Sequence, residues 1–116
     1  MTKDIPHWTF LSNYAHVLIC IAQNPEIRLR EIATRVAITE RSTQRIINHL
    51  KEAGILFSVR NGRRNRYLID LDQQLRHPVE AHCDVATLLT AIVGKRKVSI
   101  VRKQYAESQP LISALA

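Results

Sequence analysis

Apolar positions recur along this chain at two different spacings, and the change of spacing marks its elements. Tyr14, Val17, Leu18 and Ile21 follow the i, i+3, i+4, i+7 pattern of a helix face, predicting a first helix over residues 12–24. Ser12 or Asn13 can cap its start. Asn24-Pro25 ends it, because the residue before proline is pushed out of the α region. Glu26-Ile27-Arg28 is expected to be a short extended piece, long enough for one or two ladder pairs. Leu29, Ile32, Ala33 and Val36 then predict a second helix over 29–37, with Ile38 buried in the turn after it.

The third helix is predicted from Thr39, its N-cap, to about residue 53. At roughly 100° per residue, Arg41, Gln44, Arg45 and Asn48 fall within about 100° of arc. Thr43, Ile46, Ile47 and Leu50 occupy the opposite side. One face is built for burial, and the other carries long hydrogen-bonding groups, two of them cationic. Such a division suits either an ordinary surface helix or one that packs on a domain while entering the major groove of DNA.

Beyond Gly54, placed for a helix C′ position, the spacing shifts to that of strands. Residues 55–60 (ILFSVR) and 66–71 (RYLIDL) flank Asn61-Gly62, a strong turn signal, and predict a β-hairpin. Two registers fit: a two-residue turn sets Leu56 opposite Tyr67, and a four-residue loop sets it opposite Ile69. Both put Leu56, Tyr67 and Ile69 on a core face and turn Phe57, Val59 and Leu68 outward. Outward apolar residues on a hairpin hint at a partner surface. A connector follows, and Val85, Leu88, Leu89 and Ile92 predict a helix over 78–93 starting at Pro78. Gly94 breaks it. The remainder, with Val98, Ile100 and Tyr105, shows no sustained period and is expected to be partly disordered or to order against a partner.

Charge sharpens this picture. Seventeen Lys and Arg against ten acidic residues give a net charge of +7, which favours a polyanionic partner. The positive charge is concentrated. The hairpin tip reads RNGRRNR, with Arg60, Arg63, Arg64 and Arg66 around Asn65. Neighbouring like charges repel, so folding stability does not explain them, whereas a phosphate backbone does. Lys95, Arg96, Lys97, Arg102 and Lys103 make a basic tail able to add non-specific affinity.

Candidate chemistry is otherwise sparse. His77, His82, Cys83 and Asp84 cluster in sequence, but adjacent His82 and Cys83 would point about 100° apart on a helix, so no metal site is expected. There is no phosphate-binding glycine loop, no nucleophile motif and no paired carboxylates, so neither an enzyme nor a cofactor is expected. Two cysteines inside apolar helical patterns, no secretory leader and no apolar run long enough for a bilayer point to a cytoplasmic protein without a membrane partner.

The stretch LREIATRVAITERSTQRIINHLKEAGIL resembles the helix-turn-helix of winged transcriptional regulators of the MarR and ArsR type. The resemblance is carried by Ile32-Ala33, by Thr39 at the start of the second helix, by Arg45-Ile46-Ile47 at its middle, and by Leu50 with Gly54-Ile55-Leu56 at its close. The chain has Ala37 where the turn often carries glycine, and Thr43 where the helix core often has valine. The resemblance implies a mainly α fold with a small β-hairpin, ordered helix, strand, helix, helix, hairpin, helix. Residues 10–75 would form the winged helix-turn-helix domain, and 76–116 a dimerising helix and basic tail. It implies a homodimeric regulator on double-stranded DNA. Arg41, Gln44, Arg45 and Asn48 would read base edges, with Thr39 and Ser42 on phosphate. Arg60, Arg63, Arg64, Asn65 and Arg66 would form wing contacts. A protein-docking winged helix is the alternative; a structured-RNA binder fits less well, since only 5% of residues are aromatic.

Overall fold

The computed structural model describes residues 4–114; the end of the segment expected as a basic tail lies outside the described residues. Helix α1 (Asn13–Gln23) is buried at Ala15, Val17, Leu18, Cys20, Ile21 and Ala22. Tyr14 stays 40% exposed. Ser12 occupies the N-cap without a side-chain bond, and Asn13 instead contacts His16. Asn24 is extended at φ −149°, as its place before Pro25 requires.

The first strand expected over residues 26–28 does not form. Ile27 N donates back to Asn24 O (3.1 Å), closing a turn, and only Pro25 O reaches the sheet, accepting from Tyr67 N at 2.8 Å. A chain curled this tightly cannot present a second ladder pair.

Helix α2 (Leu29–Val36) buries Ile32, Ala33 and Val36. Ala37 ends it in the left-handed region at φ 66°, ψ 47°, a conformation that usually calls for glycine. Helix α3 (Glu40–Glu52) buries Thr43, Ile46, Ile47 and Leu50, the face read from the sequence. Thr43 tolerates full burial because its hydroxyl donates to Thr39 O at 2.9 Å. The helix closes in a Schellman motif: Ile55 N bonds to Leu50 O, Gly54 N bonds to Lys51 O, and Gly54 sits at φ 74°.

Strands β1 (Leu56–Asn61) and β2 (Arg64–Ile69) form the antiparallel hairpin with Leu56 opposite Ile69 and Asn61 opposite Arg64. Of the two registers considered, this is the one with Leu56 across from Ile69. The turn itself is Gly62-Arg63, with Gly62 at φ 66°, and a positive-φ glycine at the first central position is what a type II′ turn needs. Leu56, Tyr67 and Ile69 face the core as expected. The outward reading of Phe57, Val59 and Leu68 is corrected: Leu68 is 2% exposed, and Phe57 and Val59 are half-buried.

What covers them is the tail. The helix expected over 78–93 is shorter, α4 (Val85–Val93), because Asp84 caps it. Residues before it bind the connector instead, through Leu75 N to Cys83 O and Val85 N to Gln73 O, both 2.9 Å. Gly94 (φ 90°) breaks the chain between α4 and α5 (Lys95–Glu107), and α6 (Gln109–Ala114) follows. The tail is therefore helical, and its inward stripe is Val98, Val101 and Tyr105; Ile100 points out at 44% exposure. Val98 and Val101 join one core with α1, α2, α3, the hairpin and α4, and the Tyr105 ring lies 5.9 Å from that of Phe57. The result is a winged helix-turn-helix: mainly helical, with a two-stranded hairpin. No helix among the described residues is long and apolar enough to cross a membrane.

Candidate nucleic-acid interface

Burial of one α3 face fixes what the other face presents. Arg41, Gln44, Arg45, Asn48 and His49 are all exposed and border one shallow concavity together with Leu29 and Glu40. Gln44 Nε2 donates to Asn48 Oδ1 at 2.9 Å, one turn away, so these two amides are held side by side. At the helix start, Thr39 Oγ1 accepts from Ser42 N and donates to Ser42 Oγ, both at 2.9 Å. That cap satisfies one orphan donor of the first turn and leaves both hydroxyls at the surface. Tyr14 Oη and His49 Nδ1 lie 2.7 Å apart with their rings stacked, tying the far half of α3 to α1.

The hairpin stands beside this helix. Arg28, Gln44, Arg60, Arg63, Arg64 and Asn65 line a groove of about 620 Å³ between α3 and the wing. Gln44 borders both concavities, so the helix face and the wing form one continuous surface. Arg28, exposed just ahead of α2, is the member that sequence reasoning missed. It has no periodic neighbours to mark it, and only the fold brings it to the wing. Arg66 differs from the other wing arginines. It lies opposite Val59, is half-buried, and its Nε is enclosed without a hydrogen-bond partner. It does not border the groove.

No cation of this surface is held in an ion pair among the described residues. Among the described residues, ion pairs join Arg30 to Glu40, Arg102 to Asp72 and Lys103 to Glu107. Arg41, Arg45, Arg60, Arg63 and Arg64 have no carboxylate partner among them. Their fork-shaped donors are thus available for bidentate contacts to phosphate or to guanine O6 and N7. Burial pushes the Tyr67 phenol at the groove floor above its usual range, so it stays neutral and supplies no negative charge.

The polar cluster before α4 serves the fold. Asp84 Oδ1 accepts from Thr87 N (2.8 Å) and Thr87 Oγ1 (2.7 Å), and these bonds hold its carboxyl below the ordinary carboxylate range. His77 Nδ1 accepts from Val79 N at 3.1 Å. Both cysteines are free, and burial raises the Cys20 thiol, keeping it protonated. Among the described residues no group of three His, Cys, Asp or Glu side chains gathers to hold a metal.

Comparison with curated proteins and with solved structures returns no match. Residues 16–56 match a protein-family model described as winged helix-turn-helix DNA-binding. The matched stretch contains most of α1, all of α2 and α3, and the first residue of β1, so it ends where the wing begins. The helix-turn-helix of this chain is therefore similar in sequence to winged helix-turn-helix DNA-binding domains, and the hairpin that completes such a domain follows it in space.

Proposed function

We propose that this protein is a sequence-specific, double-stranded DNA-binding transcriptional regulator of the MarR/ArsR type. Helix α3 enters the major groove, where Arg41, Gln44, Arg45 and Asn48 meet base edges. Thr39 and Ser42 meet phosphate at its start. Arg60, Arg63, Arg64 and Asn65 take the backbone or the narrow minor groove beside it, and Arg28 joins them. The carrying observation is that the unpaired arginines of the wing and the exposed polar face of α3 border one continuous surface through Gln44. Arg66 completes the wing set through its terminal guanidinium nitrogens, since among its donors Nε is the one enclosed.

The protein acts as a homodimer in a reducing cytoplasm. Support for a second copy comes from apolar side chains left outside the core: Phe10 at 92% exposure, Val79 at 78%, Trp8 at 66% and Ile92 at 49%. The protein-docking alternative rested on an outward apolar wing face, and α5 covers that face in the same chain.

Affinity for duplex DNA measured against salt tests the reading. A steep fall of log K with log salt, about 0.9 per neutralised phosphate, is expected. Absence of binding at low salt would overturn it. Sequencing of DNA selected by the protein should yield a palindrome with half-sites about one helical turn apart, near 10 bp. Selected sites without two-fold symmetry would remove the dimer.

A further inference from the structure

We infer that the first turn of α5 is an additional contact for the DNA backbone, lying beyond the wing along the duplex; this rests on the DNA-binding reading above. The sequence places five cations in the tail, and the structure divides them. Arg102 and Lys103 are neutralised by Asp72 and Glu107. Lys95, Arg96 and Lys97 have no carboxylate partner among the described residues, and neither does Arg35 on α2.

Two hydrogen bonds gather this second group. Lys97 Nζ donates to Gln23 O at 3.4 Å, and Arg35 donates to Gln23 Oε1 at 2.8 Å. Cations from two helices therefore converge on the end of a third. Those bonds hold the end of α1 but leave Lys95 and Arg96 without a structural role: three consecutive like charges sit in the opening turn of a helix, the end that disfavours positive charge, and that turn contains no acidic residue. A polyanion supplies the missing compensation.

The position of the patch says which polyanion surface it meets. From Gln23 the chain runs through Pro25, whose carbonyl holds Tyr67 of the wing, and past Glu26, whose Oε1 accepts from Asn61 Nδ2 at 3.4 Å. It then reaches Arg28 in the groove. Five residues span at most about 18 Å. A full turn of duplex advances ~35 Å in ~10 bp. The Gln23 end of the patch thus lies no more than about half a duplex turn from the groove the wing lines.

The test uses the full chain carrying Lys95→Ala and Arg96→Ala together. Both side chains are exposed, and Lys97, which holds Gln23, is left in place. On a random duplex of ~25 bp the variant should bind roughly fivefold to twentyfold more weakly, with the salt slope reduced by about 1.8. At about 1 M salt, where phosphate contacts no longer release counterions favourably, the loss should stay below about twofold. The ratio of affinities for selected and random DNA should not move, and Lys95→Arg with Arg96→Lys should bind like the parent. Equal losses at low and high salt, or no loss at low salt, would overturn the inference while leaving the wing and α3 assignments intact. A parent protein that does not bind the duplex at low salt would instead overturn the DNA-binding reading, and this contact with it.

Discussion

Each turn of α3 drives a side chain into the core, through Thr43, Ile46, Ile47 and Leu50, whereas the hairpin is buried only at its base. Leu56 and Ile69 are enclosed, and the strands become exposed toward Asn61 and Arg64. The two elements bear similar donors on different mechanical footings. Side chains on α3 inherit fixed positions from a packed platform, which suits matching donors to individual base edges. The wing holds arginines on long stems at the end of a lever, which suits a phosphate chain of uniform charge. Breaking each element in turn should produce different failures.

The largest effect belongs to the platform. Ile47 is 1% exposed at the centre of the buried α3 face. Ile47→Ala should cost about 3 kcal/mol of stability, from lost burial and the cavity left behind. Urea unfolding would measure it. Arg64→Ala, at the exposed wing tip, should stay within about 0.5 kcal/mol of the parent in the same experiment. A comparable loss from both would show that the wing is as much a part of the packed unit as the helix.

Binding should reverse that ranking of sensitivity to sequence. Arg45→Ala is expected to cost about 1–3 kcal/mol on a selected site and to relax preference at one base pair. Arg64→Ala should weaken selected and random duplexes alike and lower the salt slope by about one. Competition binding with the two DNA types separates the outcomes. If both variants weakened both duplexes by one common factor, the division between reader and clamp would fail.

The same contrast explains what was legible in the sequence. The α3 face, the Thr39 cap and the Gly54 stop each depend on residues a turn or less apart, so spacing alone reveals them. The hairpin is legible as an element, but two registers fit its pattern. Asn61-Gly62 reads as the turn, while the actual turn is Gly62-Arg63, one position later. The faces of the hairpin were half right, because α5 encloses Leu68 from a distance that no local pattern encodes. Helix α5 has no clear local signature: its inward stripe is only Val98, Val101 and Tyr105, interrupted by cations and by the exposed Ile100. Arg28 and Arg66 are the matching lessons at the site. Tertiary structure brings the first into the groove and encloses the Nε of the second beside it.

Asp84 probes the part of the fold that carries neither surface. Its carboxylate caps α4 through Thr87, and those bonds hold its folded pKa below the unfolded value of ~3.9. A depressed pKa stabilises the fold above the unfolded value, and that contribution is lost as pH falls through the folded pKa. Asp84→Ala should therefore cost about 1 kcal/mol at neutral pH. The difference from the parent should shrink as the pH is lowered below about 4, followed by thermal unfolding across pH. A penalty constant across that range would mean the side chain acts through packing and not as a charged acceptor. DNA affinity at neutral pH, measured where both proteins are folded, should be unchanged, which isolates scaffold from interface.

The smallest effect tests the joint between α2 and α3, on which the orientation of the α3 face depends. Ala37 is the non-glycine residue at positive φ among the described residues, and an alanine held there is strained by about 1 kcal/mol. Glycine relieves that strain but gives back part of the gain through the greater freedom of the unfolded chain. Ala37→Gly should thus stabilise the protein by roughly 0.5 kcal/mol, read as a small rise in the unfolding midpoint. Because Ala37 N already donates to Ala33 O at 2.9 Å and Ile38 N to the same carbonyl at 3.1 Å, the turn keeps its hydrogen bonds in the variant. Base preference should then be retained. A stabilised variant that lost discrimination between selected and random DNA would show that the strain at Ala37 sets the angle at which α3 is presented, and that a well-packed platform is not enough to fix it.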